Sequence, residues 1–279
     1  MADRAPSFSF EPAQMSDREF ALYQTLVDKL TGIHLAPIKK AMLAGRLARR
    51  LRDCGVDNFT AYFALIDEGG DRQERQIAID LITTNESYFF REPKHFEAIA
   101  THLLPLFVDK PLRAWSAACA NGEEPYTLAM VLAQTLGEKA PWEVVASDIS
   151  SRVLATMRRG LYPMERAKAI PPEYLKAYCL KGTAAYAGHF LVERRLRERV
   201  TLAQINLVAP LPEIGFFDLI MLRNVIIYFD AETKRRVVRS ILSRLKPGGW
   251  LVVGHAESLI GLPDGLEQIM PTIYRKASP

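Results

Sequence analysis

The chain has 279 residues, 49% of them hydrophobic and 24% charged, with a formal net charge of +4. That balance excludes a disordered or fibrous protein and leaves ample material for a core. No stretch approaches the ~18 apolar residues of a membrane span, residues 1–15 lack an apolar signal core, and the three cysteines (Cys54, Cys119, Cys179) lie far apart, so the expected setting is a reducing cytoplasm.

Residues 1–15 carry prolines and serines without periodicity and read as a flexible tail. Ser16-Asp17-Arg18-Glu19 is a capping box, with Ser16 as the cap and Glu19 reaching back to it. Phe20, Tyr23, Leu26, Val27 and Leu30 follow at helical spacing, and Gly32 ends the helix. The stretch Ile38–Arg52 is the most basic in the chain, with Lys39, Lys40, Arg46, Arg49, Arg50 and Arg52 and no acid. Leu43, Leu47 and Leu51 give it one apolar stripe, as on an amphipathic helix. Further helices are expected over 60–68 and from 71 to 81, with Gly69-Gly70 as a bend between them. Residues 16–80 are therefore expected to form an all-helical domain.

Thr83–Arg91 interrupts the pattern, polar first, then aromatic, then basic, and a helix is expected over 94–107. Strands and helices then alternate. Strands are expected over 112–119, 143–149, 217–222 and 250–254 and near 268–275, with helices over 125–136, 151–159 and 231–245. This alternation predicts an α/β fold, a doubly wound and mostly parallel sheet, occupying residues 81–279. Residues 178–204 contain Gly182, Gly188 and short runs of mixed polarity, which predict a small antiparallel β insert at the sheet's edge.

Ligands of open α/β sheets bind beyond the carboxyl ends of the strands. Four loops qualify. Asn121-Gly122-Glu123-Glu124 holds one glycine and two carboxylates, a poor cradle for a pyrophosphate but suited to hydroxyls and positive charge. Asp148 ends the next strand and reads either as an acceptor for ribose hydroxyls or as an acid at the start of the following helix. Asn206-Leu207 and Arg223-Asn224-Val225-Ile226-Ile227-Tyr228-Phe229 complete the set. Neither the dinucleotide Gly-x-Gly-x-x-Gly turn nor the phosphate loop is present, and no Gly-x-Ser-x-Gly elbow points to a hydrolase. The five histidines show no ligand spacing, so no metal is expected.

The loops together resemble the chemotaxis-receptor methyltransferases of the CheR family. The matching stretches are Thr83–Arg91, Trp115–Cys119 with Gly122–Tyr126, Ala146–Ile149, Arg223–Phe229, and Leu245–Gly249 with Gly254–Ser258, in the family's order. The resemblance implies a class I, Rossmann-like S-adenosylmethionine-dependent methyltransferase with an N-terminal helical domain. It further implies methylation of glutamate side chains on the cytoplasmic helices of chemoreceptors, giving glutamyl methyl esters and S-adenosylhomocysteine. Carried over by motif, Asn85, Ser87, Arg91, Glu124, Asp148, Asn206, Leu207, Arg223 and Asn224 look like cofactor contacts, and Arg91 and Tyr228 like the residues beside the transferred methyl. The basic residues Lys39, Lys40, Arg46, Arg49 and Arg50 then gain a role in docking acid-rich receptor helices, beside the plainer one of a solvated face. A monomer without membrane insertion is expected.

Two departures stand out. Ala120-Asn121 occupies the first turn where the family usually has two hydroxyl residues; Asn can accept a positive φ and hydrogen-bond its own backbone, so the turn is expected to survive. Ala184 replaces a usual glycine in the insert, so binding of a receptor C-terminal pentapeptide by strand addition is expected to be weak or absent. A nucleic-acid methyltransferase is the alternative enzyme reading, but Arg223-Asn224 stands where an Asn/Asp-Pro-Pro-Tyr turn belongs, and no nucleic acid is expected. A cofactor-sensing module without turnover is the alternative outside enzymes.

Overall fold

The computed structural model describes residues 14–259 and 265–278. Of the tail expected over 1–15, residues 1–13 lie outside the described residues, and Met15 is buried. The described chain divides into two compact units, one of residues 14–30 and 34–82, the other of residues 31–33 and everything from 83 onward.

The first unit is helical: α1 (Asp17–Thr31), α2 (Lys40–Asp53), α3 (Phe59–Ile66) and α4 (Arg72–Ile82). The capping box forms as its sequence dictates. One Glu19 oxygen accepts from the Ser16 amide and hydroxyl, both at 2.8 Å, and the Glu19 amide donates to Ser16 Oγ at 3.2 Å. The other Glu19 oxygen accepts from the Thr60 amide and hydroxyl, so one carboxylate ties the start of α1 to the start of α3. Leu43, Leu47 and Leu51 form the buried stripe of α2, and Tyr23 donates its hydroxyl to the Phe59 carbonyl in the core between the helices.

Several basic side chains of α2 serve the helical unit itself. Arg50 lays its fork on the buried Glu74, at 2.9 and 2.5 Å, and Tyr62 donates to the same carboxylate at 2.6 Å. Arg46 donates to the Ile82 carbonyl at 2.5 Å, and Lys40 pairs with Asp17 at 2.7 Å. Lys39 and Arg49 are exposed, Arg49 with only a loose 3.7 Å pair to Asp53.

The second unit opens with α5 (Pro93–Ala98), which widens into a π-turn over Ile99–Leu103 and tightens to a 3-10 turn over Leu104–Phe107 instead of continuing as the expected single helix. There follow β1 (Leu112–Ala117), α6 (Glu123–Leu136), β2 (Trp142–Asp148), α7 (Ser151–Arg159), β3 (Leu161–Pro163), α8 (Pro172–Tyr178), β4 (Cys179–Lys181), β5 (His189–Val192), α9 (Arg194–Arg197), β6 (Val200–Gln204), β7 (Phe217–Leu222), α10 (Ala231–Ser243), β8 (Leu245–Val253), β9 (Leu266–Met270) and β10 (Ile273–Lys276). The main sheet runs β6-β2-β1-β7-β8-β10-β9. Its first five strands are parallel, and β10 is antiparallel to both of its neighbours. Side chains alternate between two covered faces. Ala114, Val144, Leu219 and Val252 pack with Leu128 and Leu132 of α6, and Trp115, Val145, Ile220 and Leu251 pack with Val237 and Ile241 of α10. This is the doubly wound sheet that the alternation predicted.

The insert expected over 178–204 is corrected in extent. The small antiparallel sheet has the order β3-β5-β4, so its strands come from residues 161–192. Residues 200–204 instead form β6, an edge strand of the main sheet pairing in parallel with β2 from Val144↔Val200 to Asp148↔Gln204. Leu161–Pro163 escaped notice because three residues carry no periodicity. The strand expected near 268–275 is a hairpin, broken by Pro271 and Thr272 between β9 and β10.

Candidate active site

The turn from β1 into α6 reverses by alternation. Ala118, Ala120 and Gly122 have φ of 61°, 49° and 95°, in the left-handed region that usually demands glycine. Ala120 takes a positive φ and Asn121 does not; Asn121 donates from Nδ2 to the Asn85 carbonyl at 3.2 Å, and its backbone carbonyl accepts from the Tyr162 hydroxyl at 2.7 Å. At Gly122 a Cβ would stand 2.4 Å from Met157 Cγ, so the close approach of α7 also requires glycine. Asp148, at the end of β2, braces this turn. Its carboxylate accepts the Ala120 amide and the Ser150 amide, each at 2.9 Å. The cap of α7 is Ser150, whose Oγ accepts the Val153 amide.

Arg223 is the hub at the end of β7. It is 4% exposed and donates from Nη1 to Glu124 at 2.8 Å and from Nη2 to Glu92 at 3.0 Å and to the Arg91 carbonyl at 2.5 Å. Its guanidinium lies over the Phe96 ring at 5.4 Å. Glu124 takes a further hydroxyl from Ser116 at 2.7 Å. Burial works against a charged Glu92, yet the Arg223 charge and the Asn224 side chain, which donates to it at 3.2 Å, hold its pKa below the usual carboxylate range.

Asn224 has φ 57° and is kept there by Glu257, whose carboxylate accepts the amides of Asn224, Gly254, Ile226 and Ile227. Burial pushes the Glu257 pKa up, and the four donors oppose that push. Gly254 permits the packing, since a Cβ there would lie 2.5 Å from Asn224 Nδ2. The same loop then winds through a 3-10 turn, Ile226–Tyr228, which leaves Tyr228 at the surface, 36% exposed.

Arg91 sits between two left-handed residues, Phe90 (φ 54°) and Glu92 (φ 56°). It donates to the Glu86 carbonyl at 3.0 Å and lies over the Tyr88 ring at 5.8 Å. The Ser87 carbonyl is held by Arg166 at 2.6 Å, and Arg166 also pairs at 2.9 Å with Glu123, whose pKa burial raises. Asn206 folds its side chain onto the Val208 amide at 3.2 Å, and Leu207 is buried beside it, just past β6.

Glu124, Arg223, Asn224 and the Arg91 backbone are thus one bonded network, and Asn85 joins the Asp148 turn through Asn121. The sequence did not reveal Glu92, whose signal is a lone acid after Arg91, nor the bracing roles of Glu257 and Ser116. The loops bring the carboxylates Glu92, Glu124 and Asp148 together with the Arg223 guanidinium, a surplus of acceptors that suits a cationic ligand with hydroxyls.

Family models match nearly the whole chain. "CheR methyltransferase, SAM binding domain" covers residues 85–275, and "CheR methyltransferase, all-alpha domain" covers residues 18–83. The chain belongs to the CheR methyltransferase family. It is similar to the chemotaxis protein methyltransferase of Escherichia coli (strain K12), 40% identical over 267 residues that cover 95% of this chain and 92% of that one. Chemotaxis protein methyltransferase 2 of Pseudomonas aeruginosa is 36% identical over 276 residues, covering 98% of each chain. The chemotaxis protein methyltransferase of Borreliella burgdorferi is 37% identical over 256 residues, covering 88% of this chain and 89% of that one. As a CheR protein the chain is an S-adenosylmethionine-dependent methyltransferase, with its cofactor domain at residues 85–275.

Proposed function

We propose that this CheR protein transfers the methyl group of S-adenosylmethionine to glutamate side chains on the cytoplasmic helices of chemoreceptors, as a monomer in the cytoplasm. The observation that carries the reading is the Arg223–Glu124–Glu92 network beside Asp148 at the carboxyl edge of the parallel sheet. Bound S-adenosylmethionine supplies an electrophilic methyl on a sulfonium. Asp148 faces the ribose hydroxyls in this reading, and Glu124 faces the ammonium of the methionyl part. Asn85, Ser87, Asn206, Leu207, Arg223 and Asn224 complete the cofactor wall.

The acceptor needs little activation. A glutamate side chain has a reference pKa near 4.3 and is already a carboxylate at neutral pH, so no general base is required. What the enzyme contributes is position and in-line orientation. Arg91 holds the incoming carboxylate through its fork, and Tyr228 flanks the methyl with its ring and hydroxyl. The left-handed residues on both sides of Arg91 support this role, because they fix its backbone firmly. Among the described residues no helix is long and apolar enough to cross a membrane.

In the docking role, Lys39 and Arg49 present the charge, while Arg50, Arg46 and Lys40 support the helix that carries it. Binding of a receptor C-terminal pentapeptide is weak or absent in this reading. Ala184 has φ 50°, a position where glycine costs nothing, and its methyl stands on the turn beside the edge strand β4. Isotope-labelled S-adenosylmethionine and a chemoreceptor cytoplasmic fragment provide the test. Label must enter the fragment and leave as methanol in base. Label that resists base, or enters nucleic acid instead, overturns the proposal.

A further inference from the structure

His95 is 2% exposed at the start of α5. The Thr272 hydroxyl lies 2.6 Å from the Pro271 carbonyl and 2.7 Å from His95 Nε2. Nε2 is thus engaged by Thr272, and Nδ1 is the ring nitrogen left over. That atom is buried and has no hydrogen-bond partner. The polar atom it faces is Glu92 Oε2 at 3.4 Å. A ring nitrogen without a hydrogen bond and a carboxylate oxygen that face each other are a donor pair a cation can bridge.

His255 completes the geometry. It is exposed, its ring meets His95 edge to face with centroids 4.8 Å apart, and its amide donates to Glu92 at 3.3 Å. One ligand atom from each of Glu92, His95 and His255 lies within 4.8 Å of the other two. We infer that these three residues form a binding site for a divalent transition-metal ion of the Zn2+ or Co2+ kind.

The chemistry and the distances agree. Two imidazoles and a carboxylate select borderline ions over Mg2+ or Ca2+. Ligand atoms about 2.0–2.1 Å from a tetrahedral ion stand roughly 3.4 Å from each other. Nδ1 and Oε2 already have that separation, at 3.4 Å. The exposed His255 ring needs only to turn inward. Thr272 then acts as the outer partner that orients a ligating histidine and fixes its tautomer. It is itself held in a left-handed conformation, φ 63°. Glu92 also pairs with Arg223, so an entering ion competes with that guanidinium for one carboxylate. The site was not legible as a motif, because Glu92 and His95 are three residues apart while His255 comes from beyond β8.

The test uses the full chain, stripped with chelator and without S-adenosylmethionine, so that failure of the methyltransferase reading does not affect it. Zn2+ is titrated by calorimetry, and Co2+ by its visible absorption bands. One saturating ion per chain is expected, with affinity at least tenfold lower in His255→Ala and in His255→Gln, whose surface position leaves the core intact. No saturable binding, or equal binding by the His255 variants, as at a cysteine thiol, overturns the inference.

Discussion

Replacing Arg223 by alanine strands two carboxylates at once. Glu124 and Glu92 lose their guanidinium partner in a nearly dry setting, where Arg223 is 1% exposed at the side chain. Breaking a buried ion pair from one side costs about 3–5 kcal/mol. Arg223→Ala is therefore expected to lower stability by that order in urea denaturation and to weaken S-adenosylhomocysteine binding in calorimetry. Arg223→Lys repairs neither, because an ammonium cannot reach both carboxylates and the Arg91 carbonyl in one plane. Tyr228 is different. It is at the surface and its side chain braces nothing described, so Tyr228→Phe lowers kcat while cofactor affinity and stability stay as they were. Arg91→Ala, by releasing the acceptor carboxylate, lowers kcat by about 10²-fold. An unchanged kcat in both variants would sink the roles given to these residues. Ala184→Gly relieves a left-handed alanine and raises stability by about 1 kcal/mol in thermal or urea unfolding.

At the scale of elements, α2 separates two uses of positive charge. Arg50→Ala leaves Glu74 and Tyr62 facing each other without a cation, and costs about 3 kcal/mol of stability in the helical unit. A double Lys39→Ala, Arg49→Ala variant shifts stability by less than about 0.5 kcal/mol. It is expected instead to raise KM for receptor fragments and to flatten the dependence of the rate on salt. Most elements were legible from residue pattern alone. The Ser16–Glu19 box fixed where α1 starts, the Leu43-Leu47-Leu51 stripe fixed which face of α2 is buried, and the apolar runs at 112–117 and 217–222 marked the central strands. What escaped was built from partners distant in sequence. β6 belongs to the main sheet because its backbone finds β2, not because its side chains differ from those of an insert. Glu92, Glu257 and His95 act through amides and side chains up to 177 residues away, and no spacing rule announces such contacts.

For the whole molecule, pH provides a check on the buried groups. His95 has a native pKa of about 4 and an unfolded one near 6.5, so the unfolded chain takes up the proton first. Its contribution to stability is complete above pH 6.5 and is lost as pH falls toward 4, by at most about 3 kcal/mol. Glu92 and Glu74, with lowered pKa values, lose their contributions at still lower pH, whereas Glu123 and Glu257, with raised ones, act in the opposite sense. His95→Asn is therefore expected to flatten the stability profile of metal-free protein between pH 6.5 and 4, and an unaltered slope in urea denaturation would count against this assignment.

The strand order also sets a timetable for synthesis. β1 lies between β2 and β7, but β7 begins a hundred positions after β1 ends, at Phe217 against Ala117. At about 5–20 residues per second the ribosome leaves one edge of the central strand unpaired for roughly 5–20 s. That edge is flanked by Ala114, Trp115 and Ala117, all buried in the finished sheet, and it offers a template to any passing strand. A fragment ending at residue 216 is expected to aggregate on expression, whereas the full chain closes the gap with β7 and β8. Nascent chains of this protein therefore depend on shielding the β7-facing edge of β1 until the last quarter of the sequence has emerged.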